Sequence, residues 1–157
     1  MINASMLPEL FSYDPNTGLL TRKFGRHRNK PVGCLRPDGY LRMKIGTDPY
    51  YVHVVIWALR AGEWPEGDID HINGCKADNR LSNLRVATRQ ENCANSKKSS
   101  SNTSGFKGVY QGVGCWRSCI RVEGKTVHLG CFRTPELAHE AYCKAAKGYF
   151  GEFANFG

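Results

Sequence analysis

The chain has 157 residues, which is enough for one ordinary domain or two small ones. Apolar residues make up 41%, so a modest core is possible. No run of about eighteen apolar residues is present, which argues against a membrane span. The N-terminal residues lack a basic region followed by an apolar stretch, so we expect no secretory signal and a cytoplasmic protein.

The seven cysteines do not follow the spacing of a disulfide framework or a zinc ribbon. Their number is odd, and no Cys-x-x-Cys pair occurs. The closest pair, Cys115 and Cys119, has three residues between its members. We therefore expect reduced, partly buried thiols in a reducing compartment.

The net charge is +8, and it is unevenly distributed along the chain. Residues 51–100 are almost neutral, whereas residues 1–50 and 101–157 both carry an excess of Lys and Arg. Basic flanks of this kind favour a polyanionic partner, most commonly nucleic acid. The alternative is that the charge only provides solubility.

Residues 1–50 are predicted to form a basic region rich in β-strands. A turn at Pro15–Gly18 and another at Pro37–Gly39 each precede a strand. The apolar face of the second strand consists of Leu41, Met43 and Ile45. Its other face is largely cationic and consists of Tyr40, Arg42 and Lys44. A short helix follows, because apolar residues recur at helical spacing until Gly62 and Pro65 end the run. Its apolar positions are Val52, Val55, Ile56 and Leu59, with Trp57 close by.

Small, polar and basic residues dominate positions 95–105, which predicts a linker. We place the linker itself at 98–105, between a unit at 1–97 and a second unit at 106–157. The second unit shows three strand-like segments and then a helix with Thr134 as N-cap. Pro135 occupies its first position, and Gly148 is suited to close its C-terminus. A stripe of Ala138, Ala141, Tyr142 and Ala145 lets this helix lie close to the sheet.

The segment at 68–95 is unusually polar and predicts a strand, a turn, a second strand and a helix. Asn73-Gly74 is a strong turn signal, and Thr88 with Glu91 forms a capping box. Asp70 and His71 then lie near the end of the first strand. Neighbouring strand residues point to opposite faces, so these two side chains converge only if the strand bends or ends there.

This order of elements suits a nuclease site with one metal ion. A carboxylate and an amide oxygen are ligands for a hard cation such as Mg²⁺, and neutral histidine is a suitable base near pH 7. The alternative is ordinary loop and turn chemistry, which the composition alone favours.

Several ordered motifs in residues 53–98 closely resemble the HNH endonucleases of the phage and intron-homing type, which carry a ββα-metal site. These motifs are His53-x-x-x-Trp57, Asp70-His71-Ile72-Asn73-Gly74, Asp78-Asn79-Arg80, Asn83-Leu84-Arg85, and Glu91-Asn92 with Asn95.

The resemblance implies a role for each matching residue. His71 would be the general base, Asp70 and Asn92 would bind one Mg²⁺ or Mn²⁺ ion, and Asn83 would brace the loop. The catalytic set of the family would then be His71, Asn83 and Asn92. The supporting residues would be His53, which serves the site or the core, and Asn79 and Asn95, which brace the loop or contact phosphate. Arg80 and Arg85 would contact DNA, and bracing of the loop is the alternative for Arg80.

The segment 105–157 resembles the AP2/ERF DNA-binding domain, in which a three-stranded sheet lies in the major groove. The matching residues are Gly108-Val109, Trp116, Ile120-Arg121, Leu129-Gly130-x-Phe132, Thr134, Ala138, Ala141-Tyr142, Ala145-Ala146 and Phe153-Ala154-Asn155-Phe156. The residues implied in DNA binding are Lys107, Tyr110, Trp116, Arg117, Arg121 and Lys125. For Trp116, core packing is an equal alternative. Tyr110 and His128 differ from the residues that plant members of this family have at these positions. The bases that those members recognise therefore cannot be transferred to this chain.

The sequence thus predicts an α+β protein, with N-terminal β-hairpins and a ββα-metal motif, a linker, and a three-stranded antiparallel sheet on one helix. Its predicted function is metal-dependent hydrolysis of double-stranded DNA, leaving 5′-phosphate and 3′-hydroxyl ends, in the host cytosol if a phage encodes the chain. A membrane and a small-molecule cofactor are not expected. One site per chain suits nicking by a monomer, whereas cutting both strands needs a dimer or two visits. The alternatives are a DNA-binding regulator with a decayed nuclease unit and a structural protein that uses its cysteines for metal.

Overall fold

The computed structural model describes residues 2–157, and it confirms the predicted α+β class. Contacts between residues divide the chain into an N-terminal unit that ends at Ala87 and a C-terminal unit at residues 88–157. The division therefore falls before the polar segment 98–105, which contains turns and bends. The functional boundaries at 97 and 106 stay a prediction.

A short helix and a β-hairpin open the N-terminal unit. Helix α1 (Leu7–Leu10) leads into strand β1 (Phe11–Asp14), which pairs antiparallel with β2 (Leu19–Arg22). The turn closes where the Gly18 amide donates to the Asp14 carbonyl at 2.9 Å, as the sequence predicted. Leu7, Phe11 and Leu20 are fully buried, so this hairpin supplies part of the core.

A three-stranded antiparallel sheet and a helix complete the support of the N-terminal unit. Its strands β3 (Cys34–Leu35), β4 (Leu41–Ile45) and β5 (Asp48–Tyr51) lie in that order. Helix α2 (Val52–Ala61) follows directly and ends at Gly62, which confirms the predicted helix. Its buried positions are Val52, His53, Val55, Ile56 and Ala58.

Two further strands end the N-terminal unit. Strand β6 (Asp68–His71) pairs antiparallel with β7 (Leu84–Ala87), and Asp70 lies opposite Arg85. The predicted strand, turn and second strand are confirmed.

The C-terminal unit begins with the predicted capped helix. In α3 (Arg89–Ala94), the Thr88 and Glu91 side chains each accept from the other residue's backbone amide, which is the capping box. Strands β8 (Val109–Gln111), β9 (Trp116–Val122) and β10 (Lys125–Phe132) form an antiparallel sheet with β9 in the centre. Helix α4 (Pro135–Phe150) packs on this sheet and has Thr134 as its N-cap, as predicted.

Helix α4 runs two residues beyond Gly148, so the predicted end at that glycine is wrong. Gly151 ends the helix with φ of +53° instead. The buried stripe comprises Ala138, Tyr142, Ala146 and Phe150. Burial of the Phe150 side chain stabilises the two residues by which the helix is longer than predicted. Within residues 2–157, no helix combines the length and the hydropathy that crossing a bilayer requires.

Two glycines of the C-terminal unit are expected to respond in opposite ways to the same substitution. Gly108 has φ of +73°, and an added Cβ would lie 2.0 Å from the Tyr142 ring. Gly148 lies inside α4 with open space around it. Gly108→Ala should lower the free energy of unfolding by about 2 kcal/mol or more, whereas Gly148→Ala should raise it by about 0.5–1 kcal/mol. Urea unfolding measures both, and equal effects would contradict this packing.

The buried histidine of α2 predicts a pH dependence of stability. Burial, and then the charge of His71, lower the pKa of His53 from 6.5 to about 3. Between these two pH values the unfolded chain binds a proton that the folded chain does not, so stability falls as pH decreases through that window. Replacing His53 with leucine should flatten this slope, measured by urea unfolding at several pH values. The same change at the exposed His27 is the control, and equal slopes in both variants would contradict the assignment.

Candidate active site in the N-terminal unit

His71 lies at the end of β6, where the strand gives way to a turn. Its carbonyl accepts from the Gly74 amide at 2.8 Å, so regular pairing stops within the Asn73-Gly74 turn. The His71 side chain is only 3% exposed, and that of the preceding Asp70 is 5% exposed. The strand therefore ends at Asp70 and His71, as their predicted convergence needs, and both side chains are buried.

A hydrogen bond to a buried amide oxygen holds the His71 ring. The Nε2 atom of His71 lies 3.0 Å from the Oδ1 atom of Asn79, and Asn79 is itself 2% exposed. A carbonyl oxygen accepts only, so in this arrangement Nε2 carries the proton. The Nδ1 atom of the neutral ring is then an acceptor. This is the atom that can take a proton from water.

The surroundings of His71 favour its neutral form. Burial lowers the pKa of His71 below its usual 6.5, and the hydrogen bond to the Asn79 oxygen opposes this only in part. The His53 ring packs edge-on against it, with ring centroids 4.8 Å apart. The Nδ1 atom of His53 is buried and has no hydrogen-bond partner within residues 2–157. His71 is therefore present as a base across the neutral pH range.

Tyr40 is a part of this site that the sequence analysis missed. Its ring centroid lies 5.2 Å from that of His53 and 5.9 Å from that of His71. Burial, and then the charge of Asp70, raise its pKa. The Lys76 ammonium lies 4.6 Å from the centre of the same ring and donates to the Asp38 carbonyl. The alternation of β4 placed Tyr40 on the polar face, but no local signal pointed to His71.

Asn83 ties together the loop that joins β6 to β7. Its Oδ1 accepts from the Asn73 amide at 3.0 Å, and its Nδ2 donates to the Asp78 carbonyl at 2.8 Å. The Asp78 carboxylate accepts from the Asn73 side chain and from Arg80. Asn83 thus bridges Asn73 and Asp78 within this loop, and its role in the family's catalytic set stays a prediction.

The first hairpin anchors the same loop from outside. The Tyr13 hydroxyl donates to the Asn79 carbonyl at 3.2 Å and accepts from the Leu81 amide at 2.9 Å. Arg80 bonds both carboxylate oxygens of Asp78 and holds the pKa of that group below its ordinary value. The Arg80 side chain is still 48% exposed, so it remains accessible to a phosphate. Its DNA-binding role stays a prediction.

Asp70 bonds to the guanidinium of Arg85 across the strand pair. The Nε and Nη2 atoms of Arg85 both lie 2.9 Å from the Oδ2 atom of Asp70. Arg85 therefore compensates a buried carboxylate, a role that the sequence analysis did not foresee. Its predicted contact with DNA stays a prediction.

The remaining two amides of the motif lie on and just after α3, in the C-terminal unit. Asn92 is half-buried in the first turns, where its amide bonds the Thr88 carbonyl, and Asn95 is buried at the end of the helix. The predicted separation of three residues places both on one face.

Within residues 2–157, no three His, Cys, Asp or Glu side chains gather into a metal cage. A cation at Asp70 would therefore rely on amide, phosphate and water oxygens. That ligand set suits Mg²⁺, which usually keeps several waters and takes only one or two protein carboxylates. The oxygen chemistry at Asp70 fits such an ion.

The β8–β10 sheet places several of its predicted DNA contacts on one exposed face. Tyr110 lies opposite Arg117 across the strands, and the hydrogen bond between their side chains raises the pKa of Arg117. Arg121 lies on the same side of β9 as Arg117, and Lys125 is also exposed. Trp116 instead lies on the same face of β9 as the buried Ser118, which favours core packing.

Lys107 has a structural role within the C-terminal unit. Its ammonium donates to the carbonyls of Ala94, Ser96 and Asn155 at 2.8, 2.5 and 2.9 Å. Burial lowers its pKa to about 8. Its predicted contact with DNA stays a prediction.

Comparison with known proteins identifies the N-terminal motif. The family model described as HNH endonuclease matches residues 50–94, which include β6, β7 and α3. Protein 3.8 of Escherichia phage T7 is 35% identical over 107 residues, which cover 66% of this chain and 88% of that protein. An uncharacterized HNH endonuclease, L560 of Acanthamoeba polyphaga mimivirus, is 36% identical over 86 residues, or 55% of this chain and 44% of that protein.

No solved structure matches the chain significantly. The family model covers His71, Asn83 and the residues around them, and the phage relative extends the similarity over most of its own length. The chain belongs to the HNH endonuclease family.

Proposed function

We propose that the chain is a metal-dependent DNA endonuclease of the homing type. HNH nucleases act on DNA and generally use a divalent metal. The observation that carries the proposal is the buried His71 ring, held through Nε2 by Asn79 at the start of a braced loop. A nuclease base needs a neutral ring that is held in place, and burial together with the hydrogen bond to Asn79 supplies both.

His71 performs the proton transfer in this proposal. Its Nδ1 atom takes a proton from water as the water oxygen attacks the phosphorus atom. The bond from phosphorus to O3′ breaks, and the leaving oxygen takes a proton from solvent. The products are a 5′-phosphate and a 3′-hydroxyl. Asn79 and Asn83 act as positioning residues, since one holds the ring and the other holds the loop.

Asp70 and Asn92 are the proposed ligands of one Mg²⁺ or Mn²⁺ ion. Both lie in the segment that the HNH family model matches, and both offer oxygen atoms. Such an ion supplies charge stabilisation for the developing phosphorane and the leaving oxygen. Arg85 partly neutralises Asp70 in the absence of an ion and must share that carboxylate when one binds.

The C-terminal sheet is the proposed DNA-binding surface, as its resemblance to AP2/ERF domains implies. Arg117 and Arg121 project from the outward face of β9, on the side opposite the buried Ser118 and Ile120. Arginine reads guanine edges in the major groove. A flexible linker at 98–105, as the sequence predicts, would raise the joint affinity of the two DNA-binding regions for one duplex.

Replacing His71 with alanine should abolish most DNA cleavage. We expect a rate lower by about 10²–10⁴-fold in a plasmid assay with Mg²⁺, because the base is lost. EDTA should stop cleavage by the wild-type chain. The control is Lys147→Ala, at an exposed lysine of α4, which should cut at the wild-type rate. If the wild type left plasmid intact with Mg²⁺ and Mn²⁺, the nuclease proposal would be wrong and the DNA-binding regulator would be favoured.

Removing both arginines from β9 should weaken DNA binding. Arg117→Ala combined with Arg121→Ala is expected to lower duplex affinity by about tenfold or more and to reduce its salt dependence. Fluorescence anisotropy in a series of salt concentrations measures both quantities. Lys147→Ala, at an exposed lysine of α4, serves as the control. Unchanged affinity in the double variant would show that the sheet does not bind DNA through this face.

A further inference from the structure

A loop of the N-terminal unit carries an unusual concentration of positive charge. We call residues 22–36 the basic loop. No Asp or Glu occurs between Asp14 and Asp38, and residues 23–31 are all exposed. The cationic residues of the loop are Arg22, Lys23, Arg26, Arg28, Lys30 and Arg36.

The basic loop is ordered by its own backbone hydrogen bonds. The Asn29 amide donates to the Arg22 carbonyl at 2.8 Å, and the Arg28 amide donates to the Gly25 carbonyl at 3.0 Å. At its far end, the Val32 amide donates to Leu20 of β2 at 2.8 Å. The charges therefore lie on a fixed framework.

Only two of the six cations serve the fold. Arg22 donates to the Lys44 carbonyl and lies over the Phe11 ring, and Lys23 donates to the Pro8 carbonyl. The other four side chains make no hydrogen bond or ion pair within residues 2–157, and they are Arg26, Arg28, Lys30 and Arg36. Like charges gathered on an ordered loop repel one another, so a bound polyanion would stabilise them.

The loop also exposes apolar side chains among its charges. Phe24 is 68% exposed and Leu35 is 65% exposed. These side chains add apolar contact surface next to the positive charges. Proteins that bind nucleic acid use such rings against sugars and bases.

The basic loop leads directly to the candidate active site. Its last residues form β3, and the Arg36 amide donates to the Tyr40 carbonyl at 2.9 Å. The Tyr40 ring in turn packs against His71. A duplex with its scissile phosphate at His71 would therefore have neighbouring phosphates within reach of this loop.

We propose that the basic loop is a second DNA-binding site, located on the catalytic unit itself. Arg26, Arg28, Lys30 and Arg36 bind phosphates that neighbour the cleavage site, and Phe24 packs against the sugars or bases between them. This inference rests on the proposed nuclease function, and it names how the catalytic unit holds its substrate.

Binding of duplex DNA by the full chain, with EDTA present to prevent cleavage, tests the inference. The loop variant combines Arg26→Gln, Arg28→Gln and Lys30→Gln. Its matched control loses the same charge at the exposed Arg60, Lys144 and Lys147. Each lost phosphate contact removes about 0.9 from the slope of log affinity against log salt. We expect the slope to fall by about 2–3 in the loop variant and by less than about 1 in the control. Phe24→Ala should lower affinity and leave the slope unchanged.

The outcomes separate this inference from the proposed function. If the loop variant and the control show equal slopes while the wild-type chain cuts plasmid with Mg²⁺, the basic loop is not a DNA-binding site. If the wild-type chain neither binds nor cuts DNA, the proposed function and this inference both fail. Thermal unfolding of each variant shows whether it is still folded, so that a smaller salt dependence can be assigned to the missing charges.

Discussion

The candidate active site depends on one hydrogen bond, between His71 Nε2 and Asn79 Oδ1. It is 3.0 Å long and lies between two side chains that are almost completely buried. Because the amide oxygen accepts, the bond fixes both the position of the ring and the nitrogen that keeps the lone pair. Burial disfavours a charged ring, so the pKa of His71 lies below its usual value. The same contact thus sets geometry and protonation together.

Most of the N-terminal unit can be understood as support for that contact. Tyr13 of the first hairpin holds the backbone on both sides of Arg80, and Asn83 spans the loop from Asn73 to Asp78. His53 and Tyr40 cover the ring from α2 and from the start of β4. The site is therefore assembled from four separate parts of the sequence. These contacts hold a short loop of polar residues in place around the His71 ring.

Local signals predicted the elements well, and contacts between distant residues were harder to predict. The Asn-Gly turn, the Thr88 and Glu91 capping box and the Thr134 N-cap each determine an element through nearby atoms, and all are confirmed. The predicted end of α4 was wrong because the burial of Phe150 outweighed the tendency of Gly148 to end a helix. The contact of Tyr40 with His71 and the ion pair of Arg85 with Asp70 were not predicted. Both join residues that are far apart in the sequence, and no local sequence pattern indicates such contacts.

The account depends on His71 being a neutral ring that is protonated on Nε2. Nuclear magnetic resonance of the chain labelled with ¹⁵N-histidine measures this state directly, and comparison with a variant that lacks His71 assigns its signals. At neutral pH we predict a protonated Nε2 and an unprotonated Nδ1 for His71, with the signals altered when Asn79 is replaced by alanine. A ring protonated on Nδ1 alone, or on both nitrogens, would contradict the proposed base.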